Sequence, residues 1–431
     1  MTRRIAVFTA TRADLWPLSP VLRALHAEPG VELVVLAAGA HLSDRYGRTL
    51  REIDLGADVV HALETGVGED DTADANVAVV ARTAETVSRA LVEHGPDLLV
   101  VLGDRTELLG VATAATLHRV PLVHLHGGEV TEGAIDDSVR HAVTKLAHVH
   151  CCACEEYAAR VRRLGEEAWR VHVTGEPTID RLLHDAHPPA GALACRLGID
   201  LRHPFALLTY HPPTLHPERL DAELDALLGA CEAFETVVAT YPGADPGAAR
   251  IITRLREWER TRENVVVVES LGKLYPTALA AADVMLGNSS SGIVEAMSFA
   301  LPVVNVGDRQ RGRVRGPNVV DVAGHGAAVR AATARALDPS FRASLRGLPN
   351  PYGDGKAASR VVDVLLGLDL DGLLHKKFVD AGGSSSSERA GRRAEAWPGE
   401  RRASASRVSR ASSERDHGEY PAPKAQRAGT S

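Results

Sequence analysis

The sequence predicts an α/β protein in which two parallel-sheet domains face each other across a cleft. Three observations carry that reading. Short apolar runs alternate with segments of helical spacing through most of the chain. The alternation is broken by Gly and Pro near residue 180 and then restarts. Nearly every apolar run ends in a polar or glycine-rich cluster, and in an open parallel sheet ligands bind beyond the carboxyl ends of the strands. At 431 residues the chain is also long for a single core. The expected domains are residues 1–180 and 181–379, with the last helix able to cross back, followed by a disordered tail over 380–431.

Arg4 to Thr9 is apolar and Trp16 to His26 has helical spacing, which places Arg12 and Asp14 at a strand's carboxyl end. Val31 to Ala37 is the next strand and ends in His41, Asp44 and Arg45. Gly66 to Asp74 reads as a surface loop before a helix over Ala75 to His94.

The chemistry is expected between Leu102 and Lys145. Leu98 to Leu102 ends in Asp104, Arg105 and Glu107, and Pro121 to Leu125 ends in His124, His126 and Glu129. Leu108 to His118 has helical spacing, so a right-handed crossover sets both strand ends on one edge. Asp136, Arg140 and His141 then fall near one face of a helix opening at Ile135 or Asp136. The competing structural reading makes Asp136 a helix cap with solvated pairs behind it. Strands are expected at His148 to Ala153 and Trp169 to Val173; Gly and Pro break the pattern over Thr174 to Asp180, and His184 to Leu197 reads as a connector.

In the second domain, apolar runs at Pro204 to Thr209, Thr236 to Thr240, Val265 to Val268, Asp283 to Leu286 and Pro302 to Val306 predict five strands. The first ends at His211. The fourth runs into Gly287-Asn288-Ser289-Ser290-Ser291-Gly292, where backbone N–H groups and the hydroxyls of Ser289 and Ser290 suit a phosphate. Glu295 is badly placed for phosphate and suits ribose hydroxyls, which points to a nucleotide. After the fifth run Arg309, Arg311, Arg313 and Arg315 alternate, so a strand there would turn only one or two guanidinium groups into the cleft. The chain has neither an ATPase phosphate loop nor a strand-borne G-x-G-x-x-G.

Composition excludes several classes. A formal charge of −7, with no sustained basic face, argues against a nucleic-acid partner. Five cysteines, an odd number, indicate no disulfide framework and a cytoplasmic location, and Cys151, Cys152 and Cys154 read as small buried residues rather than metal ligands. With no run of about 18 apolar residues, no membrane span is expected.

TxxRADxxxLxPVL at the start, LGDRTE, HLHGGEVTEGAIDDSVRHAVTKLAHVH, YHPPT, GNSSSGIVEA, GDRQRGRVRG and NPYGDG with KKF beyond it, in that order, resemble the hydrolysing UDP-N-acetylglucosamine 2-epimerases of sialic acid biosynthesis. Bacterial enzymes and the epimerase half of the bifunctional animal enzyme look similar over residues 4 to 378. The resemblance implies two Rossmann-like domains facing a cleft, a glycosyltransferase-B-like fold. It also implies elimination of UDP to 2-acetamidoglucal and hydration to N-acetylmannosamine, without a metal or other cofactor.

Among the residues that match the family's, Asp104 and Asp136 are catalytic, His211 precedes Pro, Ser289 and Ser290 are paired, Glu295 binds nucleotide and Arg313 is the late arginine. His126 stands where the animal enzyme carries a catalytic glutamate. The catalytic set is thus Asp104, Glu129, Asp136, His126 and His211, and the UDP set is Arg12, His41, Arg105, Arg140, Ser289, Ser290, Glu295 and Arg313. Partners are expected to be a UDP-sugar and further copies of the chain, as a dimer or tetramer. Relatives acting on UDP-2,4-diacetamido-2,4,6-trideoxyhexose, a non-hydrolysing epimerase, a glycosyltransferase and a non-catalytic UDP-sugar-binding regulator are the alternatives.

Overall fold

A computed structural model describes residues 2–44, 48–53, 57–66, 72–132, 135–213, 216–243 and 247–380. Much of the predicted Gly66 to Asp74 loop and all but the first residue of the predicted tail lie outside these residues, as do Arg45, Thr214, Ala244 and Asp245.

The first sheet contains β1 (Arg3–Thr9), β2 (Val31–Ala37), β3 (Val59–Ala62), β4 (Leu98–Leu102), β5 (Leu122–Leu125), β6 (Val149–Cys152) and β7 (Val171–Val173), in the order β3-β2-β1-β4-β5-β6-β7. The second contains β8 (Phe205–Thr209), β9 (Thr236–Thr240), β10 (Val265–Val268), β11 (Val284–Gly287), β12 (Val303–Val306) and β13 (Val319–Val322), in the order β10-β9-β8-β11-β12-β13. Every pairing is parallel. Central strands such as β4 and β8 are buried along their whole length, as sheets covered by helices on both faces require.

In both sheets the order of strand addition reverses at one point, between β1 and β4 in the first and between β8 and β11 in the second. These switch points are where open α/β sheets form ligand crevices. Arg12 and Asp104 come after β1 and β4; His211 and Ser289 come after β8 and β11.

Two short edge strands are not visible in the sequence. In β3 exposure alternates and β13 is only half-buried, so neither gives the continuous apolar run of a central strand. The alternating arginines are also not a strand: residues 307–316 form turns between β12 and β13. Among the described residues no helix is long and apolar enough to cross a membrane.

The helix Ala357–Gly367 returns to the first sheet, where Ala358, Val361, Val362 and Leu365 join the core of β1, β2, β4 and the helix Arg12–His26. Charge then anchors the segment beyond this helix. The buried Arg170 guanidinium donates to the carbonyls of Leu373 and His375, and Lys376 donates to those of Lys145 and Ala147 while pairing with Glu166 at 2.8 Å. The Asp180 carboxylate accepts from the N–H groups of Ala357 and Ala358, satisfying donors that a helix start leaves open.

Candidate active site

At the first switch point Asp14 shapes the loop that presents Arg12. Its carboxylate accepts from Thr9 Oγ1 and from the N–H groups of Ala10 and Thr11, so it is a structural acid. Arg12 opens the adjoining helix and is exposed. His41, expected among the UDP contacts, is fully buried, with Nε2 3.0 Å from Thr9 Oγ1 and Nδ1 2.6 Å from Thr49 Oγ1. It braces the ends of β1 and β2 from inside. Arg105 pairs with buried Glu107 at 2.8 Å, and Asp136, in the first turn of the helix Ile135–Leu146, adds to the negative field around it.

Asp104 forms an ion pair with Arg140, whose guanidinium also lies 3.4 Å from Asp137. Arg140 is 2% exposed, so it holds the acids from within instead of presenting an open anion site. Burial and the neighbouring Arg313 push its guanidinium down to about 10.

His126 and Glu129 sit on the turn after β5. The turn is pressed against the helix Glu155–Arg163: a Cβ on Gly128, at φ +79°, would lie 2.3 Å from the Tyr157 carbonyl oxygen. Glycine is therefore required there. His126 itself adopts φ +65°, a conformation that costs a residue other than glycine roughly 1–3 kcal/mol and clusters at functional sites. Its Nδ1 lies 3.8 Å from Glu129 Oε1, and Glu129 Oε2 lies 3.3 Å from Arg313 Nη1.

Arg313 arrives from the second sheet. Its loop is fastened by two buried tyrosines: Tyr352 OH donates to the Val314 carbonyl, Val314 N–H donates to Tyr157 OH, and the two hydroxyls lie 2.9 Å apart. Among the alternating arginines, Arg313 reaches the acid cluster through Glu129. Arg315 pairs with Asp321 at 2.6 Å, and Arg311 lies 4.0 Å from Glu132.

At the second switch point Gly287, at φ +128°, lets the chain pass the end of β8, since a Cβ there would lie 2.0 Å from Thr209 O. The Asn288 side chain bridges to both backbone groups of His211, whose Nδ1 accepts from Gly243 N–H. Ser289 is half-buried and caps the short helix Ser290–Val294, and Ser290 is exposed. A hydrogen-bonded chain runs from Tyr275 OH through Ser291 to Glu295. Burial lifts the Glu295 carboxyl to about 7; Ser291 opposes the shift and Glu176 adds to it.

Sequence reasoning misses Glu176. It lies beyond β7 and carries the same strand-end signal that identifies Asp104, but Gly175 and Pro177 on either side mark a chain break and mask it. Its carboxylate lies 2.7 Å from His126 Nε2 and influences Glu295. Close charged contacts thus join Arg313, Glu129, His126 and Glu176 in a row; the Asp104–Arg140 pair feels the Arg313 charge at one end, and Glu295 feels the Glu176 charge at the other.

Residues 23–366 match the UDP-N-acetylglucosamine 2-epimerase family. The chain is 32% identical over 385 residues to a GDP/UDP-N,N'-diacetylbacillosamine 2-epimerase (hydrolyzing) of Campylobacter jejuni, covering 88% of this chain and 99% of that protein. It is 34% identical over 372 residues to a UDP-N,N'-diacetylbacillosamine 2-epimerase (hydrolyzing) of Legionella pneumophila, covering 85% and 96% respectively. A crystal structure of the UDP-GlcNAc 2-epimerase from Neisseria meningitidis bound to UDP-GlcNAc superposes with a TM-score of 0.71 at 19% identity, over 85% of this chain and 100% of that one.

Fold and sequence together define a nucleotide-sugar epimerase of glycosyltransferase-B architecture. The chain belongs to the UDP-N-acetylglucosamine 2-epimerase family.

Proposed function

We propose that the protein is a hydrolysing 2-epimerase acting on UDP-N,N'-diacetylbacillosamine, a UDP-2,4-diacetamido-2,4,6-trideoxyglucose, and releasing UDP and the 2-epimeric free sugar. The observation that carries the choice of sugar is the name shared by the Campylobacter and Legionella relatives, which match over nearly their whole lengths. This replaces UDP-GlcNAc, which the sequence resemblance puts first, with the alternative weighed beside it.

The geometry supports the reaction type. The C2 hydrogen has no adjacent carbonyl to acidify it, so its removal needs a carboxylate base within hydrogen-bond reach and stabilisation of the charge on the departing diphosphate. In the elimination the C2–H electron pair forms the C1=C2 bond as the C1–O bond breaks and UDP leaves. In the hydration water adds at C1, C2 takes up a proton on the opposite face and the water's second proton passes to a base. Asp104, Glu129 and Asp136 share these proton transfers, with His126 and His211 orienting or protonating. Arg12, Arg313, Ser289 and Ser290 hold the diphosphate, and Glu295 accepts from the ribose.

A proton NMR time course in heavy water tests the proposal with UDP-N,N'-diacetylbacillosamine and UDP-GlcNAc in parallel. Deuterium at C2 of the free sugar together with free UDP is expected, faster from the bacillosamine substrate. Faster turnover of UDP-GlcNAc would reassign the sugar, and return of a UDP-linked epimer would reassign the reaction as non-hydrolysing.

A further inference from the structure

The proton transfers assigned to the acids and histidines leave Glu176 unused. Its Oε1 has an ordinary task at the start of the helix Pro177–His184, accepting from Thr178 N–H at 3.2 Å and Thr178 Oγ1 at 2.9 Å. Capping needs one oxygen. The other, Oε2, lies 2.7 Å from His126 Nε2, where the Glu176 side chain is 6% exposed and the His126 side chain 14%.

The opposite side of the imidazole faces Glu129, and Glu129 in turn faces Arg313. Acid and base alternate, Glu176, His126, Glu129, Arg313, with gaps of 2.7, 3.8 and 3.3 Å. Burying two carboxylates against one guanidinium would leave a net negative charge in a poorly solvated place, which is costly. A charged imidazole balances the set.

The ring is also held by its backbone. His126 N–H donates to the Cys151 carbonyl at 3.1 Å, the residue is at φ +65°, and the turn beyond it has no room to shift past Tyr157.

We propose that Glu176 is a positioning residue for the reaction: it holds the His126 ring in its charged form, with Nδ1–H directed at Glu129, so that Glu129 works between two cations. This rests on the reading of the chain as a hydrolysing sugar-nucleotide 2-epimerase and deepens it by naming the partner of the histidine.

The charged groups that face the ring are Glu129 on its own turn, Glu176 on the connection after β7 and Arg313 on the loop after β12. His124, on β5, is kept neutral because burial pushes it down to about 3. Burial alone would favour a neutral His126 as well. The attraction of Glu176, then of Glu129, outweighs burial and the opposing Arg313 and lifts the ring to about 9. Glu176 is lowered in return: burial works against ionisation, and the His126 charge and the Thr178 contacts overcome it.

Two measurements on the full chain test the proposal. In protein carrying isotope-labelled histidine, with the His126 signal identified by its loss in His126→Gln, the ring should titrate on the alkaline side of neutrality. In Glu176→Gln its midpoint should fall by at least about one pH unit, and in Glu176→Asp it should stay within about half a unit. UDP release from UDP-N,N'-diacetylbacillosamine should change in parallel. In Glu176→Gln the alkaline limb of kcat/KM moves to lower pH by the same interval, so the variant loses about tenfold at alkaline pH for every pH unit the limb moves and recovers on the acid side.

A His126 titration that ignores Glu176→Gln would overturn the proposal. So would a uniform loss of rate at all pH with the limb unmoved, which is what a helix cap alone would give. If the wild-type protein releases no UDP from any UDP-sugar, the functional reading falls, and the imidazole titration still decides the pair.

Discussion

Removing the Arg313 guanidinium tests whether the second sheet completes the chemistry of the first. Arg313 Nη1 stands 3.3 Å from Glu129 Oε2, with side-chain exposures of 17% and 6%. At an effective dielectric of about 20 the Coulomb attraction over that distance is on the order of 5 kcal/mol. The whole of it is not lost in Arg313→Gln, because His126 faces the other Glu129 oxygen and the amide can still donate. A net loss of about 2–3 kcal/mol is expected, somewhat below the roughly 3–5 kcal/mol of breaking a fully buried pair, because the Arg313 side chain keeps 17% exposure.

If that loss falls on the transition state, kcat/KM for UDP release drops by about 30- to 150-fold near neutral pH. Part should appear as weaker UDP binding by calorimetry, since the proposed mechanism also gives Arg313 the diphosphate, and the remainder as lower kcat. Arg313→Lys should recover a fraction, because one ammonium cannot face both groups as a planar fork does. A loss below about threefold, worth roughly 0.6 kcal/mol, would refute the reasoning. It would mean that the two switch points do not act on one substrate.

Other outcomes rest on the same contacts. Asp104→Asn should abolish turnover while UDP still binds, checked by coupled UDP release beside calorimetry. Gly128→Ala, with its added carbon 2.3 Å from Tyr157 O at φ +79°, should lower stability by about 2–5 kcal/mol in denaturant titration. Gly95→Ala, at φ +52° with open space around it, should cost only about 1 kcal/mol. Because Glu295 is lifted to about 7, its carboxylate form gains population as pH rises through neutrality. UDP affinity should therefore climb between roughly pH 6 and pH 8, by up to about tenfold, and Glu295→Gln should flatten the climb. Tyr352→Phe removes the donor to Val314 O and should lower kcat/KM through a loosened Arg313 loop, by about tenfold, with little change in pH profile.

The central strands are legible because they are buried on both faces and spell unbroken apolar runs; β4 is Leu-Leu-Val-Val-Leu. The switch-point residues are legible because polar groups directly after such runs have few other reasons to be there. Edge strands β3 and β13 are not, since four half-exposed residues spell no unbroken apolar run. The role of Arg140 is hidden for another reason. A helix pattern places it near Asp136 and Asp137, but only the crossover between β4 and β5 brings Asp104, 36 residues away, onto its guanidinium. Glu176 carries the right signal and loses to a stronger local one, the Gly-Glu-Pro break.

The return of the helix Ala357–Gly367 has a consequence for how the chain matures. Val361, Val362 and Leu365 fill the face of the helix Arg12–His26 that the first seven strands leave open, and Arg170 stays buried only once the carbonyls of Leu373 and His375 have arrived to receive it. During synthesis the amino-terminal half must therefore wait, with an apolar surface uncovered and the Arg170 guanidinium held only by Glu167 and the His148 carbonyl, until some 200 further residues have left the ribosome. Its completion is tied to the segment that carries Leu373 and His375, and a nascent chain stopped short of that segment will present that uncovered surface to chaperones.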